Sequence, residues 1–149
     1  MSVNQSAFVS RLELRRIASE FPTRKITSSI DSADFCRSFY FEDLTIFESS
    51  FLILLNQANQ TIGFAKLSQG GIAGTVIDAR LVAHYAVQSL AVAVILCHNH
   101  PSGQLRASES DKAITSKIKG GLSLLDITLL DHIILTENGY FSFADEGLI

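Results

Sequence analysis

Residues 90–111 read Leu90-Ala91-Val92-Ala93-Val94-Ile95-Leu96-Cys97-His98-Asn99-His100-Pro101-Ser102-Gly103-Gln104-Leu105-Arg106-Ala107-Ser108-Glu109-Ser110-Asp111. Leu90 to Cys97 is apolar throughout, the pattern of a strand buried on both faces of a sheet. His98 and His100 follow at its end. In an extended chain residues two apart project to the same side, so both imidazoles can converge on one ion. Pro101 has no N–H to give to a ladder and ends the strand. After a polar loop, Ser108 to Gly120 reads as a helix with Asp111 in its first turn, which returns a carboxylate to the two imidazoles. Three such ligands leave a fourth position for water or substrate, as a catalytic zinc requires.

Each of these residues also has an ordinary reading. A serine followed three residues later by an acid is a helix N-cap pattern, in which Asp111 reaches back to the Ser108 N–H. A His-x-His pair alone is common in surfaces and cores. The spacing by itself leaves cap and ligand open for Asp111, and structural group and ligand open for His98 and His100.

Working outward, Ala7 to Ile17 alternates Phe8, Leu12 and Leu14 with Arg11, Glu13 and Arg15, which predicts a half-exposed strand. Phe21 to Ile30 reads as a loop. Asp31 or Ser32 then caps a short helix through about Phe41 that turns Phe35, Phe39 and Tyr40 inward. Phe47 to Leu55 and Thr61 to Leu67 form a hairpin about Asn56-Gln57-Ala58-Asn59, and Gly70-Gly71 allows a break before Ile72 to Ile77. Asp78 to Leu90 has helical spacing, with Leu81, Val82, Tyr85 and Leu90 covering the sheet and His84 on the surface. Gly120-Gly121 suits the end of the helix that carries Asp111. Thr128 to Thr136 and Tyr140 to Phe143 make a second hairpin, where Asn138-Gly139 fits a type I′ turn. Strands and helices mix without regular alternation, so the expected class is α+β, or mixed α/β, and not a doubly wound nucleotide fold.

Composition bounds the function. The chain has 149 residues, 47% of them hydrophobic, which suits one packed core. A net charge of −3 gives no general attraction to nucleic acid, whose binding rests on phosphate neutralisation. Arg11, Arg15, Arg16, Arg24 and Lys25 are the one basic patch that would serve a nucleic-acid partner. Cys36 and Cys97 read as reduced core thiols, which points to the cytoplasm. Met1 to Ser10 has no signal-peptide pattern, and the apolar run before His98 is far shorter than the ~20 residues of a spanning helix, so no membrane association is expected.

The spacing His-x-His, seven residues, Ser, two residues, Asp resembles the JAMM motif of JAB/MPN metalloproteins, and His98-Asn99-His100-Pro101-Ser102-Gly103 is most similar to the RadC-type branch. The likeness runs over about residues 45–149 and includes Gly74-Thr75, Leu130-Asp131-His132-Ile133-Ile134 and Tyr140-Phe141-Ser142-Phe143. About 45 residues precede it, where full-length RadC proteins carry a helix-hairpin-helix region. They divide the chain into a 1–45 extension packed on a 46–149 JAB/MPN domain. The resemblance implies a cytidine-deaminase-like fold, a central mixed sheet flanked by helices with a zinc site at a strand end. It implies His98, His100 and Asp111 as Zn²⁺ ligands and Ser108 at the motif's serine position, donating to a developing oxyanion. The glutamate that completes such sites falls on Glu48, in Glu48-Ser49-Ser50-Phe51-Leu52-Ile53-Leu54-Leu55-Asn56, as general acid–base; Asn56 replaces an Asp usual in relatives. Asn99, Ser102 and Gly103 would shape the loop beside the metal, supporting its ligands or the backbone and taking no catalytic part, and Asp131-His132 reads as structural, with support of the metal ligands as its alternative role. The implied activity is a zinc-dependent peptidase or isopeptidase-like hydrolase acting on a peptide or isopeptide amide. A non-catalytic JAB-fold binding or DNA-repair-associated module is the competing class. Substrate and oligomeric state stay open.

Overall fold

A computed structural model describes residues 8–40, 43–70 and 76–149. In chain order these form α1 (Ser29–Arg37), β1 (Ser49–Leu55), β2 (Thr61–Gln69), α2 (Ala79–Gln88), β3 (Ala93–Asn99), α3 (Glu109–Ser123), β4 (Thr128–Thr136) and β5 (Gly139–Ser142). The strands make one mixed sheet in the order β2-β1-β3-β4-β5, parallel between β3 and β4 and antiparallel elsewhere. β1 and β3 lie inside it and are buried at every position, which is why both read as continuous apolar runs.

The period of two sorts the side chains of these strands between two cores. Phe51, Ile53 and Leu55 of β1, with Ala93, Ile95 and Cys97 of β3, pack against Phe35, Cys36, Phe39 and Tyr40 of α1 and its following turn. Leu52, Leu54, Val94 and Leu96 point to the other face, where Val82 and Ala86 of α2 and Ile118 and Leu122 of α3 cover them. The result is helix, sheet, helix: the α+β architecture that the pattern implies. Continuing the alternation puts His98 on the α3 face and Asn99 on the α1 face. Among the described residues no helix is long and apolar enough to cross a membrane.

Several local expectations are corrected. Residues 8–17 form no strand, and Phe8, Val9, Leu12 and Ile17 stay exposed. Alternation alone cannot hold a strand that finds no ladder partner. Helix α1 begins earlier than Asp31, because Ser28 is its N-cap and accepts from the Asp31 N–H. Leu90 is no inward residue; it follows the α2 cap Ser89 with φ 59° and is exposed. Helix α3 runs through Gly120-Gly121 to Ser123, since neither glycine has a positive φ and Leu122 anchors the last turn in the core. The Glu137-Asn138 turn has no positive φ and is not type I′. Gly139 serves contact instead: a Cβ there would meet Leu105 Cδ1 at 3.0 Å. Ile72 to Thr75, with the Gly74-Thr75 part of the motif, lies outside the described residues.

Other expectations hold. The hairpin of β1 and β2 turns on Asn56, whose Oδ1 accepts the Ala58 and Gln60 N–H groups at 3.0 Å each. Cys36 and Cys97 are free and buried, and burial pushes the Cys36 thiol up. His84 is exposed. The basic front residues are partly engaged within the chain: Arg11 pairs with Glu13, Arg24 lies beside Asp31 and Asp34, and Arg16 donates to the Ser89 carbonyl.

Candidate metal centre

Strand β3 delivers His98 at its end, fully buried, and His100 stands one residue beyond it. A turn closed by the Gly103 N–H on the His100 carbonyl, at 3.0 Å, redirects the chain after Pro101, and Gly103 takes φ 86° there. The chain then enters α3 through a capping box. Ser108 Oγ accepts the Asp111 N–H at 3.0 Å, and Asp111 Oδ2 accepts the Ser108 N–H at 2.9 Å. Asp111 therefore caps and faces the histidines at once: its Oδ1 lies 3.3 Å from His98 Nε2 and its Oδ2 3.3 Å from His100 Nε2. The two Nε2 atoms are 3.0 Å apart.

Glu48 reaches the same spot through the register of β1 against β3. Ser50 sits opposite His98, so Glu48, two residues earlier, projects to the same face beside His100. Its carboxylate and the two imidazole nitrogens lie within 4.8 Å of one another, a group that could hold a metal ion. Glu48, His98 and Asp111 line a cleft of about 300 Å³ whose other walls include Val76, Ile77, Ile114 and Lys117. The structure thus brings Glu48, His98, His100 and Asp111 together. Ser108 is their exposed neighbour at the helix cap and lines a different cavity, with Arg106 and Phe141.

Electrostatics follow this crowding. Burial acts to raise the Asp111 carboxyl, but the imidazoles beside it, His100 and then His98, outweigh burial and hold the group far below the usual carboxylate range. The same Asp111 contact raises His100 above the ordinary imidazole value. His100 Nδ1 lies 2.9 Å from the Gln104 carbonyl, which can only accept, so Nδ1 carries the proton and Nε2 is the atom turned to the site.

Three residues support this group: Asn99 and His132, for which the sequence allowed such a role, and Thr115, for which it gave none. Asn99, between the two histidines, points to the α1 face. Its Oδ1 accepts the Ser49 N–H at 2.8 Å, and its Nδ2 donates to the Leu44 and Phe47 carbonyls, both at 2.7 Å. It therefore grips the backbone on both sides of Glu48. His132, fully buried on β4, places Nε2 2.7 Å from His98 Nδ1, and Thr115 Oγ1 of α3 lies 2.6 Å from His132 Nδ1. Burial, followed by the neighbouring His98, lowers the His132 pKa well below its ordinary value. The signal for His132 and Thr115 was a polar residue in an otherwise apolar strand or helix face. Asp131 is indeed structural: it accepts from Ser142 Oγ and the Ala144 and His132 N–H groups.

The RadC-like JAB domain matches residues 26–148. This chain belongs to the RadC-like JAB family. Similar proteins include a UPF0758 protein of Flavobacterium johnsoniae, 45% identical over 145 residues, covering 95% of this chain and 62% of the relative. Another, from Porphyromonas gingivalis, is 44% identical over 137 residues, with 91% and 60% covered. The UPF0758 protein YfjY of Escherichia coli K12 is 41% identical over 102 residues, with 68% and 64% covered. The chain spans about 60% of the length of the first two relatives. The RadC-like match begins ahead of residue 29, so α1 lies within it, consistent with the packing of that helix in the sheet's core.

Proposed function

We propose that the chain is a zinc-dependent hydrolase of the RadC/JAMM type that cleaves a peptide or isopeptide amide. The observation that carries this reading is the convergence of His98 Nε2, His100 Nε2 and the Asp111 carboxylate at 3.0 to 3.3 Å. Ligands about 2.0–2.1 Å from a tetrahedral zinc lie about 3.3–3.4 Å from one another, close to the 3.3 Å that separates Asp111 Oδ1 from His98 Nε2 and Asp111 Oδ2 from His100 Nε2. Two neutral imidazoles and one carboxylate would leave it a net positive charge and an open position. The bound ion would supply Lewis acidity, acidifying a water and polarising an amide carbonyl.

The remaining chemistry belongs to side chains. Glu48, half-buried at the edge of the cleft, would take the water proton and pass it to the leaving amine, a step contributing about 10²–10⁴ in rate. Ser108 spends an oxygen lone pair on the Asp111 N–H and keeps its hydroxyl proton, which would be donated to the developing oxyanion. Ile77 and Ile114, both half-buried, would exclude water around the substrate.

The test is zinc content by elemental mass spectrometry of the wild type, His100→Ala and Glu48→Gln. About one zinc per chain in the wild type and Glu48→Gln, lost in His100→Ala, is the expected result. Wild-type protein that takes up no zinc even when it is supplied would remove the hydrolase reading and leave a JAB-shaped binding module.

A further inference from the structure

Hydrogen-bond accounting around His132 fixes where each proton sits. Thr115 Oγ1 lies 2.6 Å from the Asp111 backbone carbonyl and 2.6 Å from His132 Nδ1. A carbonyl can only accept, and two oxygens that close repel without a proton between them, so the single Thr115 hydroxyl proton goes to Asp111 O. Thr115 Oγ1 must then accept, and His132 Nδ1 carries the hydrogen. One proton remains to be placed in the 2.7 Å gap between His132 Nε2 and His98 Nδ1. If it came from His132, that ring would be an imidazolium. His132 is completely buried and stacked on Phe143, and the neighbouring Asp131 carboxylate is turned to Ser142 and Ala144, so such a charge would be unpaired. The proton therefore belongs to His98 Nδ1, and the His98 lone pair is at Nε2, where it accepts from the Nε2–H of His100 3.0 Å away.

We infer that Thr115 and His132 form a tautomer lock that runs from the backbone carbonyl of Asp111 to His98 Nδ1 and holds His98 Nε2 as an unprotonated donor to a metal. Both are positioning residues, and their role as metal supports rests on the reading above. The lock ties together two ligand residues brought by different elements. The carbonyl at the start of α3 sets the protonation of the imidazole at the end of β3. Without it a neutral His98 is free to carry its proton on Nε2, where it would block the ion.

Two measurements separate the lock from the metal reading. Long-range proton–nitrogen NMR of the metal-free protein at mildly alkaline pH reports the tautomer of each histidine directly. The expected spectrum has His98 and His132 both protonated at Nδ1, with Thr115→Val shifting His98 toward a mixture. Zinc affinity, by competition with a chromophoric chelator, is expected to fall about 10- to 100-fold in His132→Phe, which keeps a ring against Phe143. His132→Gln, whose Oε1 can still accept from His98, should recover most of that loss. Wild-type His98 protonated at Nε2, or His132→Phe and Thr115→Val both binding zinc like the wild type, would overturn the lock. If the wild type shows the expected tautomers yet binds no zinc, the lock stands and the metal reading fails. Thr115→Val, a near-isosteric change, keeps the test open should His132→Phe not fold.

Discussion

At Asn99 a single amide does what no apolar residue could. It sits fully buried between two candidate ligands and satisfies one N–H and two carbonyls of the segment around Glu48. Each buried polar group left without a partner costs about 1–3 kcal/mol. Asn99→Asp keeps the acceptor for Ser49 but sets a carboxylate oxygen against the Leu44 and Phe47 carbonyls. We expect it to lower unfolding free energy by about 3 kcal/mol at neutral pH, measured by urea denaturation. A change under about 0.5 kcal/mol, the range of ordinary surface substitutions, would show that the amide is not what holds Glu48 in place. The alternation His98, Asn99, His100 was legible in the sequence, and with it the idea that both imidazoles face one way. The object of Asn99's grip was not legible, because the Leu44–Ser49 segment reaches it through the pairing of β1 with β3.

Helix ends show where local sequence signals stop deciding. The start of α3 was plain from Ser108 and Asp111, because a capping box is made within four residues. Its end was not: Gly120-Gly121 looks like a stop, yet Leu122 is buried in the core and draws the helix one more turn. Both glycines have open space where a Cβ would stand. Gly120→Ala should therefore raise stability by about 0.5–1 kcal/mol, with the gain lying mainly in the unfolded chain. Thermal unfolding checks it, and a loss of stability would mean that the last turn of α3 needs its glycine. Helix α1 carries a pH signature of the same local kind. Thr27, through its hydroxyl and N–H, and Arg24 hold the Asp31 carboxyl down at about 2, against an ordinary 3.8. A depressed folded pKa gives stability that is present above the unfolded value and lost as pH falls through the folded one. The thermal midpoint advantage of wild type over Asp31→Asn should therefore hold at neutral pH and shrink between about pH 4 and pH 2. A constant difference across that range would assign Asp31's contribution to something other than its charge.

On the scale of the molecule, two cores flank one sheet, and the candidate site lies where β3, the start of α3 and the approach to β1 meet. The strands of that plan were legible because buried strands read as apolar runs; residues 8–17 misled because alternation is also compatible with an exposed segment that has no ladder partner. The candidate ligand residues come from separate elements whose mutual position is fixed only by the completed fold, so an ion that bridges them should bind the folded state and not the unfolded chain. Binding to one state stabilises it by RT ln(1 + [L]/Kd), about 2.7 kcal/mol when free zinc is 100 times Kd. For a domain of this size that corresponds to a rise of roughly 5–11 °C in the thermal midpoint. Scanning calorimetry with zinc, and after chelation, should show that rise in the wild type and none in His100→Ala. Equal shifts in both proteins would mean that zinc acts away from His98, His100 and Asp111, and the convergence of these three groups would then be an ion-pair cluster that braces α3 against the sheet.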